Sequence, residues 1–273
     1  MVPLAAHPDA LLVHPHAQRT GGGTIRNRIL AAAFGQGRVY SRIFVKDFKP
    51  WSKLTDNDLW GYRAYTDLSD YCDLPLSRPC LPIASLRHPL YRAVSLYHFV
   101  RRKQAHEFHE LAMSGNLEEF YSIGSKRNPR YFRNVQVSRI CGHADARLAL
   151  DYILMKYLAV GFTNHLPDFG IVLSNILGWS GIQLDQKVVD ADRYDAQITP
   201  QFRDMVLSQN EEDRLLFEAM MRGAPYRIPT QPMAREIAKR ARRVRDRGLA
   251  LARGAQRRIV RLALRLRSGA QAG

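Results

Sequence analysis

An α/β fold, with a central and mostly parallel sheet flanked by helices, is what the sequence predicts, and two strand-turn-helix units predict it. In the first, the apolar run Ala10-Leu11-Leu12-Val13 reads as a short buried strand. Thr24 to Ala33 has helix-forming composition, with Thr24 available as a cap. Three consecutive glycines, Gly21, Gly22 and Gly23, stand between them. Glycine costs backbone entropy, so a triplet marks either a loose linker or a place where the backbone approaches something closely. A strand, a glycine turn and a helix N-terminus together make an anion cradle. Unpaired N–H groups and the positive end of the helix dipole point into the turn, and Arg19 adds a full charge at its mouth. The second unit is CLPIASLRHPLYRAVSLYHFVRR, Cys80 to Arg102. Its apolar strand, Leu81 to Leu86, turns at Arg87-His88-Pro89 into a helix carrying Val94, Leu96, Tyr97 and Val100. Arg87 leaves the carboxyl end of that strand and Ser95 lies about two turns into the helix. Ligands bind beyond the carboxyl ends of parallel strands, so Arg87 and the glycine loop are expected to face one crevice. Two anion sites in one crevice suggest a ligand with two phosphates some distance apart.

With 273 residues, 46% of them hydrophobic, the chain can bury one sizeable core and a small appendage. No stretch approaches the roughly 18 uninterrupted apolar residues of a membrane span, and no basic region followed by an apolar signal core opens the chain. The expected compartment is the cytoplasm. Cys72, Cys80 and Cys141 are odd in number and lack metal-ligand spacing, which argues for reduced core residues rather than a disulfide framework. Net charge is +16, but it is unevenly spread. From Gln231 onward Lys239 and twelve arginines face only Glu236 and Asp246, so +11 sits in the tail and +5 elsewhere. Pro229 and Pro232 interrupt any helix entering that tail, which divides the chain into a domain at 1–228 and a segment at 229–273. Within the tail Ile237, Val244, Leu251, Ala255, Ile259, Leu262 and Leu266 form an apolar stripe, the pattern of a basic amphipathic helix. Three uses stay open, in order of preference: attachment to an anionic membrane surface, at the inner face of the membrane; docking against the protein or a partner; nucleic-acid contact.

The motifs in the two units resemble those of the sulfotransferases that use 3′-phosphoadenosine 5′-phosphosulfate (PAPS), especially the carbohydrate branch acting on heparan-like 2-O and 6-O positions. HAQRTGGGT, His16 to Thr24, is similar to the family's 5′-phosphosulfate loop, His-x-(Pro/Gln)-Lys-Thr-Gly-Gly-Thr-Thr/Ser. RHPLYRAVS is similar to its 3′-phosphate motif, Arg-Asp-Pro-x-x-Arg-x-x-Ser, with Arg87, Pro89, Arg92 and Ser95 in register. RNVQVSRICG resembles its Asn-x-Gln-x-x-Arg-x-x-Gly segment. YLAVGFTNHLPDFGIVLSNILGW and NEEDRLLFEAM resemble its Val-Gly-Leu-Thr-Glu strand with a helix ending in Leu-Gly-Trp, and its closing helix. The similarity covers about Ala10 to Arg222. It implies a P-loop-like three-layer fold, PAPS as sulfuryl donor and 3′-phosphoadenosine 5′-phosphate (PAP) as product. The acceptor it implies bears a hydroxyl on a saccharide or glycolipid.

The resemblance also assigns roles. Backbone N–H groups of Thr20, Gly21, Gly22, Gly23 and Thr24 hold the 5′-phosphosulfate, Arg87 with Ser95 fixes the 3′-phosphate, and Arg19 stands where the family has the lysine that offsets charge on the bridging oxygen. Gly23 replaces a threonine and His88 an aspartate. The catalytic histidine of many relatives has Tyr62 in its place, within WGYRAY. An acceptor hydroxyl must lose a proton as it attacks sulfur, so a base is needed. Asp47, beside Lys46 at the end of an expected second strand in RVYSRIFVKDFKPW, is the leading candidate, with Tyr62 second and an unidentified residue third. His14 and His16 read as strand residues packed beside the loop. Trp51, Trp60, Tyr62 and Tyr65 form either a stacking surface for a sugar or part of the core. The scheme needs no metal, and the loop lacks the Gly-Lys-Ser/Thr ending that would hold magnesium. Two other readings remain: a protein of this fold that lost the chemistry and binds a nucleotide or a membrane, and a P-loop kinase-like phosphotransferase.

Overall fold

The computed structural model describes residues 10–49, 53–68, 70, 79–179 and 197–222, all within the unit Met1–Ile228. The basic tail, the linker before it, Cys72 and Trp51 lie outside the described residues. Five strands form one all-parallel sheet: β1 (Leu11–Pro15), β2 (Val39–Tyr40), β3 (Ala64–Asp67), β4 (Cys80–Leu86) and β5 (Ala159–Phe162). Their order is β2-β3-β1-β4-β5.

Parallel strands covered on both faces need apolar residues at every position rather than alternate ones. β1 shows this directly. Leu12 packs with Ile25, Ile29 and Phe169 on one side of the sheet, while Leu11 and Val13 pack with Tyr40, Leu59 and Tyr65 on the other. The helical layers follow in chain order. After β1 and the loop that follows it, Gly22–Thr24 (α1), a π-helical run Ile25–Leu30 and Ala31–Phe34 (α2) succeed one another without interruption. After β4 come α3 (Pro89–Arg101), α4 (His109–Ser114), α5 (Leu117–Arg127), α6 (Pro129–Phe132), α7 (Val135–Cys141) and α8 (Ala146–Lys156). After β5 come α9 (Leu166–Leu177), α10 (Pro200–Gln209) and α11 (Glu211–Arg222). No helix among the described residues is long and apolar enough to cross a membrane.

Register aligns the carboxyl ends that matter. Pro15 pairs with Asp67, and Leu86 with Phe162. The chain leaves β1 toward β2 and β3 on one side and returns to β4 on the other, so the crevice between β1 and β4 is a topological switch point.

Three local expectations are corrected. The first helix begins at Gly22, capped by Gly21 in a left-handed conformation with φ 90°, and Thr24 makes no side-chain cap. β2 ends at Tyr40, so Asp47 is seven positions beyond it instead of at its end. Tyr62 precedes β3, at the edge of the sheet opposite to the carboxyl ends.

Candidate functional site

A cavity of about 760 Å3 opens over the carboxyl ends of the strands. Of the residues the sequence assigned, Arg19, Gly21, Gly22, Gly23, Thr24, Arg87 and Ser95 line it. Thr20 does not: it is fully buried, its N–H and hydroxyl both donate to the Ala17 carbonyl, and its Oγ1 pairs with Ser85 Oγ at 3.2 Å. Thr20 braces the loop from beneath.

The glycines answer to different constraints. Gly21 has φ +90°, and a Cβ there would meet Leu166 Cδ1 at 2.5 Å. A Cβ at Gly22 would run into the imidazole of His16. Gly23 has open space around it. Backbone proximity is therefore required at two positions of the triplet, and the turn aims the first helical N–H groups, Gly22 to Thr24, where no helical carbonyl can reach them.

Arg19 also takes a left-handed φ, 69°. Its Nε donates to Ser95 Oγ at 3.0 Å and its guanidinium lies 4.8 Å from the centre of the Phe99 ring. The residue assigned to the 5′-side and the serine assigned to the 3′-side thus touch. Arg87 is buried beside them, with Nη1 donating to the Arg19 carbonyl at 3.3 Å. His88, next in the chain, packs edge-on against Phe217 at 5.5 Å, and burial lowers its proton affinity.

The base candidates part company. Asp47 is exposed, and neither it nor Lys46 lines the cavity. Tyr62 stacks edge-on against Tyr40 at 5.0 Å and Tyr65 is buried in the same cluster, while Trp60 faces solvent. None of these three aromatics lines the cavity. Asp67, the last residue of β3, does, and among the described residues it is the single carboxylate that lines the cavity. It is buried, with Oδ1 3.2 Å from Arg42 Nε. Sequence reading missed it because the polar end of a four-residue strand carries no periodic signal; its offset from the Ala64-Tyr65 pair was the available clue.

Two histidines line or underlie the loop. His14 is buried in β1 with Nδ1 3.0 Å from Thr66 Oγ1, and its ring lies 5.6 Å from that of His16. Burial, with Arg26 and Arg19 nearby, pushes His16 down to about 3, and burial lowers His14 well below the usual histidine range. Both are neutral and weak as bases. At the far wall, the Phe108 N–H donates to His106 Nδ1, which leaves Nε2–H to donate to Tyr131 Oη at 2.8 Å. Burial raises Tyr131 to about 12, so its hydroxyl stays protonated.

Among the described residues no group of three or more His, Cys, Asp or Glu is placed to hold a metal. Set against models of known protein families and against proteins of curated function, the sequence matches none.

Proposed function

We propose that the protein is a PAPS-dependent sulfotransferase that moves a sulfuryl group to a hydroxyl of a saccharide or glycolipid acceptor. The observation that carries the reading is the convergence of two anion-binding elements on one cavity: the glycine turn beyond β1 and Arg87 beyond the adjacent β4. Fit to a nucleotide is supported by the open space around Gly23 on the cavity wall and by Gln18 Oε1, buried there without a hydrogen-bond partner and able to accept from a hydroxyl or amino group of the ligand.

Sulfuryl transfer is the chemistry the donor supplies when bound. The chain's residues bind and orient. N–H groups of Gly22, Gly23 and Thr24 face the 5′-side, Arg87 and Ser95 the 3′-phosphate, and Arg19 places positive charge between them, where preorganised charge is worth most. Asp67 replaces Asp47 and Tyr62 as the proposed base. Its carboxylate takes the acceptor hydroxyl's proton as that oxygen bonds to sulfur and the bond from sulfur to the bridging oxygen breaks. Arg42 orients the carboxylate.

Incubation with sulfur-labelled PAPS and a panel of saccharide and glycolipid acceptors, beside thermal unfolding with PAP, tests the reading. PAP is expected to stabilise the fold by about 2.7 kcal/mol at a hundred times its Kd, and label is expected on an acceptor hydroxyl. No stabilisation by PAP rejects it. Stabilisation without transfer favours a second reading, a nucleotide-binding protein that lost the chemistry, which the attachment of Arg19 to Ser95 and Phe99 supports. For the tail, whose +11 charge and apolar stripe are properties of the sequence, we propose an anionic membrane surface as partner; absence of salt-sensitive cosedimentation with anionic vesicles would reject that.

A further inference from the structure

Arg87 follows the last ladder pair of its strand, Leu86 with Phe162, so neighbouring strands no longer fix its backbone. A side chain from elsewhere does. Gln136, on α7, accepts from the Arg87 N–H at 2.7 Å through Oε1 and donates to the Arg87 carbonyl at 2.8 Å through Nε2. This pairing imitates one rung of a sheet.

Gln136 is itself held from a distant part of the chain. Its N-cap residue, Asn134, has a left-handed φ of 47° and provides no side-chain cap to α7. Asp213 of α11 does so instead: its Oδ1 accepts from the N–H groups of Gln136 at 3.0 Å and Val137 at 2.9 Å, and its Oδ2 from Gln136 Nε2 at 3.3 Å. The Asp213 N–H returns a bond to Asn134 Oδ1 at 3.2 Å. Asp213 is 1% exposed, and desolvating a carboxylate to join two helices is a costly choice where apolar packing would serve. What it achieves in addition is orientation.

We infer that Asp213 and Gln136 are positioning residues that aim Arg87 at the ligand's 3′-phosphate and, through the Arg87 bond to the Arg19 carbonyl, register that clamp with the glycine turn. The inference rests on the nucleotide reading above. Neither residue lines the cavity, and the connection of Gln136 to it runs through Arg87.

The test compares Kd for PAP and for adenosine 5′-monophosphate (AMP), which lacks the 3′-phosphate, in wild type, Gln136→Met and Asp213→Asn, by calorimetry on the full chain. Gln136→Met keeps the volume and removes both bonds to Arg87. It is expected to reduce the preference for PAP by roughly tenfold or more, as a misaimed charged contact does, with AMP affinity little changed. Asp213→Asn, which keeps one acceptor oxygen, is expected to lower the preference less, and it supplies the readout if Gln136→Met does not fold. A folded variant that melts earlier yet keeps the wild-type preference makes the role merely structural and overturns the relay. A wild type that binds PAP and AMP equally overturns the nucleotide reading itself, and the relay with it.

Discussion

One methyl group at Gly22 would press on the His16 ring, which is stacked on His14 and would be displaced toward the cavity it lines. Gly22→Ala is therefore expected to cost about 1–3 kcal/mol by overpacking and to impair PAP binding, in denaturant unfolding and calorimetry respectively. Gly23 lies in open space, so Gly23→Thr should leave both within measurement error. Equal damage from the two substitutions would mean that the turn, and not the close approach, sets the requirement. Asp67 gives a second test at this scale. If its carboxylate takes the acceptor proton, Asp67→Asn should lower kcat by roughly 10²–10⁴ and leave PAP affinity intact, while Asp47→Asn, out on the surface, changes neither. The opposite pattern in steady-state kinetics would return the role to Asp47.

The β1 strand and the turn behind it form an element with its own pH dependence. In the unfolded chain both histidines titrate near 6.5, whereas in the fold burial keeps His14 and His16 neutral until far lower pH, about 3 for His16. Folded proton affinity is depressed, so the contribution is intact above pH 6.5 and is lost as pH falls, because the unfolded chain binds protons that the fold refuses. Each histidine costs about 1.4 kcal/mol per pH unit in that window. Asp213 works in the other sense, since burial raises its carboxyl and the fold gains relative stability as it protonates. Urea unfolding at pH 6 and pH 5 should therefore show a net loss of roughly 1–3 kcal/mol, much reduced in His14→Gln/His16→Gln. A wild type equally stable at both would contradict the burial of the pair. At the same scale, the strand-turn-helix units were legible because an apolar run beside glycines, or before Arg-His-Pro, has few other ways to fold. The π-helical geometry of Ile25–Leu30 was not, since no residue pattern marks it.

For the molecule as a whole, the parallel sheet and the meeting of Arg87 with the glycine turn were readable, because topology brings the carboxyl ends of parallel strands together whatever their spacing in sequence. What sequence could not supply were contacts across long separations: Arg19 with Ser95, Gln136 with Arg87, and Asp213 with the start of α7. Each joins polar residues whose partners are fixed only once the layers pack. Asp67 was hidden for a related reason, since a strand of four residues reveals neither its end nor its neighbour until Pro15 is set against it. The same packing makes the central claim testable in one measurement, calorimetric titration of PAP and AMP into wild type and Arg87→Ala. A guanidinium that contacts the 3′-phosphate contributes a charge-assisted bond of about 1.5–3 kcal/mol, so Arg87→Ala should weaken PAP by roughly 10- to 150-fold and leave AMP nearly unchanged. Equal weakening of both nucleotides, or a wild type indifferent to the 3′-phosphate, would contradict the account.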